Sequence, residues 1–343
     1  MQGRMPWIVV GLDNGGTANN ATIMDAAGNF LVNRLVEVPS RVLEGPEAAI
    51  DSLAHSVENI LAVCDLPRES VRAVGLDTPG PASADGVMSS KGATNFSAPD
   101  WHGFDFRGGL ESRLGLPVIY NNDGNAAALY AHHVHFGAKA ARNSSISAIV
   151  GTGLGGGVIE SGAVVRGVAG MAGELGHVHI PMEGLLEAGQ PLPACNCGFS
   201  GDVESIASLT GITNNLLPFW LTRYPDHELH QVRPLKSAAK LVRGLAEKGD
   251  PLARAIFEQQ AMAIGRLYTI AANFCDPSAY FLGGGVVETT PQLREWFLGR
   301  VRAHTQLREE QAKLAAFALV PDLDMAGARG SAIAAAEWVH AQD

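Results

Sequence analysis

In the stretch CNCGFSGDVE, Cys195 to Glu204, two thiols stand one residue apart, followed by Gly198, Gly201 and the carboxylate of Asp202. Thiolates and carboxylates both bind zinc-like ions, so three readings are open: a metal loop that uses a carboxylate, one that has lost a ligand, or an ordinary turn before a helix. Elsewhere, DNGGT (Asp13–Thr17) and GTGLGGG (Gly151–Gly157) each follow an apolar, β-branched run and precede a second strand. Glycines let a backbone approach a phosphate closely, and the turn N–H groups with a threonine hydroxyl can bond its oxygens. Two such turns would clamp a polyphosphate from both sides; taken singly, each is equally a hairpin bend. Asp13 lies beside the first turn, where Mg²⁺ on nucleotide phosphates needs an oxygen ligand or a water-holder. Asp123 closes VIYNND, at the C-terminal end of a strand and just before a helix. Ligands of open α/β sheets bind at that edge, although an aspartate there also makes a good N-cap. Glu174 and His177 in GELGH, with Glu204, complete a polar set. Glu204 alone reads as a first-turn acid favoured by a helix dipole.

Rival motifs fail on context. Gly151–Gly156 satisfies G-x-G-x-x-G, but a dinucleotide fingerprint must open a helix, and VIESGAVV follows it like a hairpin. No G-x-x-x-x-G-K-[ST] occurs, which excludes a P-loop. His132, His133 and His135 lie on one helical stretch but point in different directions, which places them on the surface or in grooves rather than on a metal. Cys64 and Cys275 read as buried small apolar residues.

The elements that must carry these groups alternate between strand and helix. WIVVGL, VRAVGLDTPGP, LPVIYNND, SISAIV and AYFLGGGV read as strands, and NATIMDAAGNFLVNRLVEV as two strands about an Ala-Ala-Gly-Asn turn. Residues 46–64 carry Ile50, Leu53, Val57, Ile60 and Leu61 at helical spacing, and 235–249, 251–274 and 291–307 follow suit. The pattern predicts an α/β protein with mixed sheets. A chain of 343 residues fits two domains, with a boundary near residue 121. Apolar residues at 46% and charged residues at 17% support a sizeable core and argue against disorder. A net charge of −10 without a basic stripe argues against nucleic acid. Four scattered cysteines do not make a secreted disulfide framework, and no stretch near the N-terminus is long enough for a signal or a membrane span. A soluble, cytoplasmic protein is expected.

In order and together, DNGGT, NNDGNAAA (121–128), GTGLGGG, GELGH, CNCGFSGDVE and DPSAYFLGGGV (276–286) resemble the ROK family of repressors, open reading frames and kinases, over almost the whole chain. The resemblance implies a two-domain actin-like ATPase (ribonuclease H-like) fold closing over an ATP- and Mg²⁺-dependent hexose kinase site. A small domain, 1–121, would carry the first phosphate turn and sugar contacts, with a C-terminal helix near 328–343 packing back on it. A large domain, 122–327, would carry the rest. By the same resemblance Asp123 matches the general base toward the sugar hydroxyl. Asn122, Glu174, His177 and Glu204 match sugar contacts, with Gly80 and Asn95 beside them. Asp13, Gly15, Gly16, Thr17, Gly151, Thr152 and Gly153 match the phosphate turns, and Gly283, Gly284 and Gly285 the nucleoside-side turn. Glucose phosphorylated at its 6-position is the first substrate expected, with N-acetylglucosamine, N-acetylmannosamine, fructose, mannose or allose as alternatives. A non-catalytic sugar sensor is the alternative of another class, and a homodimer is the family's expectation. ROK repressors carry an N-terminal helix-turn-helix, for which a phosphate turn beginning at Asp13 leaves no room.

The family's metal motif is C-x-C-G-x-x-G-C-x-E, its three cysteines joining the histidine of the GH pair on structural zinc. Here His177, Cys195 and Cys197 match and Asp202 replaces the last cysteine, so the resemblance implies zinc with a carboxylate ligand. His179 offers another fourth ligand, and Asp202 could instead cap a helix over VESIASLTGI. Two further departures stand out. Ala18 replaces a basic residue common in relatives, and the segment from Val178 to Ala194 is longer than in glucokinase-like members and expected to border the sugar.

Overall fold

The structure, a computed structural model, describes residues 7–80, 82–89, 95–96 and 98–342. It divides into two compact units, one of residues 1–142, 157–173 and 320–343, the other of 143–156 and 174–319. The first holds β1 (Ile8–Asn14), β2 (Ala18–Asp25), β3 (Glu37–Pro39), α1 (Pro46–Cys64), β4 (Val71–Thr78), α2 (Phe106–Leu114), β5 (Val118–Asn122) and α3 (Asp123–Phe136). Along the second run β6 (Ser145–Val150), β7 (Leu154–Glu160), β8 (Ala163–Val164), α4 (Leu209–Gly211), α5 (Leu217–Arg223), α6 (Leu235–Glu247) and α7 (Pro251–Phe274), with β7 and β8 leading back into the first unit. Then come β9 (Ala279–Gly283), α8 (Pro291–His304), α9 (Glu309–Leu314) and β10 (Ala316–Leu319), and α10 (Leu323–Gln342) returns to the first unit.

The first sheet has the order β3-β2-β1-β4-β5, antiparallel at β1–β2 and parallel at β1–β4 and β4–β5. The second has the order β10-β9-β6-β7-β8 and is parallel at β10–β9 and β9–β6. Ile8, Val9, Val10 and Leu12 are all buried, as a strand covered on both faces requires. α1 spans the residues its apolar spacing predicts. Proline stands at its first position, Ile50, Leu53, Val57, Ile60 and Leu61 are buried, and it ends on Asp65 at φ 52°. Each such buried side chain contributes about 1.5–3 kcal/mol. The strand expected to follow the Ala-Ala-Gly-Asn turn shrinks to a bridge at Phe30 and the three residues of β3.

The unit division differs from a boundary at 121, because α3 stays with the first sheet. Gly330 of α10 explains this: a Cβ there would lie 1.8 Å from the carbonyl oxygen of Ala126, so α10 and α3 pack backbone to backbone. The same helix rests directly on the strands. A Cβ on Gly11 would lie 2.0 Å from Ala328 O, and one on Gly75 1.9 Å from Ser331 O. Any larger side chain at these positions forces α10 off the sheet.

Candidate active site

In the first unit the turn between β1 and β2 holds Gly15 to Thr17. It is closed by Gly15 N–H donating to Ala18 O (3.0 Å). Ala18 therefore contributes a backbone acceptor, whatever its side chain lacks. A Cβ on Gly16 would lie 2.7 Å from Asn95 Nδ2, so Asn95 abuts this turn, while Thr17 is exposed. At the end of β5, Asn122 Oδ1 accepts from Gly124 N–H (2.9 Å) and is the N-cap of α3. Cap duty thus falls to Asn122, whose Nδ2 would lie 3.1 Å from a Cβ on Gly80. Asp123 opens α3 with its side chain exposed and one oxygen 2.7 Å from Gly124 N.

Behind Asp13 lies a residue that the sequence reading missed. GLD at 11–13 and GLD at 75–77 lie side by side in parallel register, Asp13 opposite Asp77, so both carboxyls project on one face. Asp77 is fully buried and its Oδ2 accepts from Ser331 Oγ (2.8 Å). Gly327 supplies the room, since a Cβ there would lie 3.0 Å from Asp13 Cγ and 3.1 Å from Asp77 Oδ2. Burial, then the charges of Asp13 and Asp123, push the Asp77 carboxyl well above the ordinary range. Burial also raises Asp13, against the hydrogen bond it shares with Asp77. The repeated triplet was the available signal. Asp77 favours its acid form in the fold, so stability is lost as pH rises through its raised folded pKa. Asp77→Asn removes that loss. We expect its Tm to exceed the wild type's by a few degrees at pH 8, at about 2–4 °C per kcal/mol, with the gap narrowing toward pH 5. A gap independent of pH in a calorimetric series would refute this.

In the second unit the turn after β6 is pinned from its own side. Leu209 N–H donates to Gly151 O (3.0 Å), Thr210 Oγ1 to Thr152 O (2.8 Å), and Leu154 N–H to Glu204 Oε2 (2.8 Å). A Cβ on Gly153 would lie 2.6 Å from that carboxylate, which would have to shift to admit it. β7 follows the turn, as the hairpin reading requires and a dinucleotide fingerprint forbids. Glu174 precedes a short turn of helix over Leu175–His177. Its carboxyl is raised, first by desolvation, with the charge of Glu204 adding and His177 opposing.

His177, Cys195, Cys197 and Asp202 bring one ligand atom each within 4.8 Å of one another. His177 Nδ1 lies 3.3 Å from Asp202 Oδ2 and 3.8 Å from Cys195 Sγ, and Cys197 Sγ lies 3.6 Å from Asp202 Oδ2. An ion holding four tetrahedral ligands at about 2.0–2.3 Å keeps those atoms roughly 3.3–3.8 Å apart, so the set fits a metal. Asp202 divides its labour: Oδ2 faces the cluster while Oδ1 accepts from Ser205 N–H (2.9 Å). Burial raises its carboxyl, but bonds from Cys195, Ser205, His177 and Cys197 outweigh this and hold it below the ordinary range. No helix begins at 203. Residues 203–207 form a turn, and Ser208 caps α4. Glu204 is accordingly not a first-turn acid. His179 lies outside the cluster, its ring edge-on to Phe199 at 6.0 Å.

A cavity of about 350 Å³ in the same unit is lined by Gly151, Gly285, Val286, Leu209, Ile212, Ala239, Phe257, Lys240, Arg243 and Gln260. Gly283 ends β9 and Gly284 turns at φ 87°, where a Cβ would lie 2.3 Å from Val150 O. Arg243 Nη1 bonds Gly285 O (2.7 Å), and buried Gln260 leaves its Oε1 without a partner among the described residues. Apolar walls beside two glycine turns suit a nucleobase and its phosphates.

The long segment after Val178 is tied to α5 and α7: Arg266 donates to Pro181 O and Glu183 O, Gln259 Nε2 to Leu185 O (3.0 Å), and Arg223 Nη2 to Ala188 O (2.6 Å). Its added length therefore finds its partners on those helices. His132 is fully buried rather than at the surface, bonded to Ala140 O (3.0 Å). Cys64 and Cys275 are half-buried.

The ROK family model matches residues 9–338. The chain belongs to the ROK family. It is 31% identical over 283 residues to a glucokinase of Halalkalibacterium halodurans, covering 81% of this chain and 80% of that protein. Among solved structures, a ROK hexokinase from Thermus thermophilus superposes with TM-score 0.74 at 31% identity, covering 97% of this chain and 99% of that one. A ROK glucokinase from Streptomyces griseus, solved with glucose and AMPPNP, gives 0.67 at 27% identity over 96% and 99%. This ROK chain has the actin-like ATPase fold of those kinases. Among the described residues no helix is long and apolar enough to cross a membrane.

Proposed function

We propose that this protein is an ATP- and Mg²⁺-dependent hexokinase of the ROK type that phosphorylates the 6-hydroxyl of glucose. The observation that carries the reading is Asp123, exposed at the head of α3 with the cap supplied by Asn122, in a chain matched to the family over 9–338. Asp123 would take the proton of the attacking hydroxyl, a role worth about 10²- to 10⁴-fold. Asn122, Glu174, His177 and Glu204 would orient the sugar, with Gly80 and Asn95 at its margin, because its hydroxyls must be paired once buried. The turns at Gly15–Thr17 and Gly151–Gly153 would hold the phosphates, and the cavity beside Gly285 the base. Asp13 would hold Mg²⁺ directly or through water, and that ion supplies charge neutralisation at the phosphates.

Zinc is the metal we assign to His177, Cys195, Cys197 and Asp202, a structural role in keeping with a closed set of four ligands. A cytoplasmic setting suits the four free thiols, and a homodimer, the expectation for a ROK kinase, is proposed with it, to be checked by light scattering. The test of function is ADP release from Mg-ATP with glucose, mannose, fructose, allose, N-acetylglucosamine and N-acetylmannosamine. Turnover is expected on glucose foremost. Silence on every sugar, with sugar still bound, would leave a sensor in place of an enzyme.

A further inference from the structure

The segment from Asp202 to Thr210 joins two things that the motifs treat separately. At one end Asp202 belongs to the metal cluster. Two residues on, Glu204 Oε2 accepts from Leu154 N–H (2.8 Å), and its other oxygen lies 3.8 Å from Cys195 Sγ. At the far end Leu209 N–H holds the carbonyl of Gly151 (3.0 Å), and both the backbone N–H (3.1 Å) and the hydroxyl (2.8 Å) of Thr210 hold that of Thr152. Between them the segment is braced internally. Asp202 bonds Ser205 through Oδ1 (2.9 Å) and through its carbonyl (2.6 Å), and Ser208 Oγ donates to Glu204 O (2.7 Å).

A peptide group is planar and trans, so its C=O and N–H point in opposite directions. Pinning Gly151 C=O therefore fixes where Thr152 N–H points, and pinning Thr152 C=O fixes Gly153 N–H. Those N–H groups are the ones a glycine turn offers to a phosphate. We infer that residues 202–210 are a strut through which the metal loop sets the donor-binding shape of the phosphate turn, with Thr210 a positioning residue for the phosphoryl donor. The inference rests on the kinase reading, and it makes the metal loop serve the nucleotide as well as the sugar.

The test compares wild type with Thr210→Val and Thr210→Ser for ADP affinity by calorimetry and for the KM of ATP and of glucose. Tm and metal content are read alongside. Thr210→Val keeps the backbone N–H bond to Thr152 O and loses the hydroxyl's; it should weaken ADP and raise the KM of ATP about 2- to 10-fold, the range for one lost hydrogen bond. The KM of glucose, Tm and metal content should hold, and Thr210→Ser should restore ADP binding. Stripping the metal from wild type with a chelator should weaken ADP at least as much, read by calorimetry without sugar. Unchanged ADP affinity in Thr210→Val, or equal losses toward ATP and glucose, would overturn the positioning role of the Thr210 hydroxyl. Unchanged ADP affinity after metal removal would overturn the strut. Wild type that fails to bind ADP at all would instead defeat the kinase reading and the inference with it.

Discussion

Asp123→Asn lowers kcat for glucose by about 10²- to 10⁴-fold while the protein still folds and binds sugar. That range is what a positioned base contributes, about 2.7–5.4 kcal/mol of barrier. The fold is safe because the helix does not depend on this side chain for its cap: Asn122 Oδ1 supplies that bond to Gly124 N–H (2.9 Å). The amide has the size and hydrogen-bonding reach of the carboxylate but cannot accept the hydroxyl proton. The loss should therefore fall on kcat, with the KM of ATP little changed, since an interaction confined to the transition state is being removed. Stopped-flow phosphorylation and equilibrium glucose binding on the same preparation separate the two. Turnover near the wild-type rate would reassign the base.

Much of the site was legible in the sequence because its parts are punctuated by residue types with narrow uses. Glycine turns after β-branched runs can only be placed where strands stop, and the structure puts both after buried strands. α1 and α7 were readable to the residue from period and proline, Pro46 and Pro251 each opening a helix. What escaped was whatever depends on a partner far along the chain. Asp77 looks like any strand-end aspartate until register sets it beside Asp13 and α10 closes over both. Gln260 sits in an amphipathic helix like many glutamines, and only the cavity distinguishes it. The grouping of α3 with the first sheet, beyond the boundary near 121, was hidden for the same reason. The small residues of α10 that tie α3 to the first sheet lie some two hundred positions downstream, and no local signal announces a backbone contact. At 203 two readings of Asp202, metal ligand and helix cap, were in competition. A cap was the alternative to a metal ligand; the second oxygen of Asp202 faces His177 and Cys197 and its carbonyl accepts from Ser205, and the chain coils into a turn before α4 begins.

That double use of Asp202 gives the second large prediction, because its two oxygens can be removed separately. Asparagine caps a chain end about as well as aspartate, so Asp202→Asn keeps an acceptor for Ser205 N–H and loses the charged ligand. Cysteine does the reverse, restoring a thiolate while leaving that N–H without its acceptor. Alanine removes both. Loss of an outer partner of a metal ligand already costs about 10- to 100-fold in metal affinity, so loss of the ligand itself should exceed that. We expect zinc near one equivalent in wild type and Asp202→Cys, and little in Asp202→Asn and Asp202→Ala, by elemental analysis after dialysis against a weak chelator. Tm should fall in the order wild type, Asp202→Asn, Asp202→Ala. The last step is the smaller, near the 0.5–2 kcal/mol of a cap, because metal binding to a site of this kind is itself folding energy. Should Asp202→Asn retain zinc as tightly as wild type, the carboxylate would be a turn residue alone and the ion would rest on three ligands.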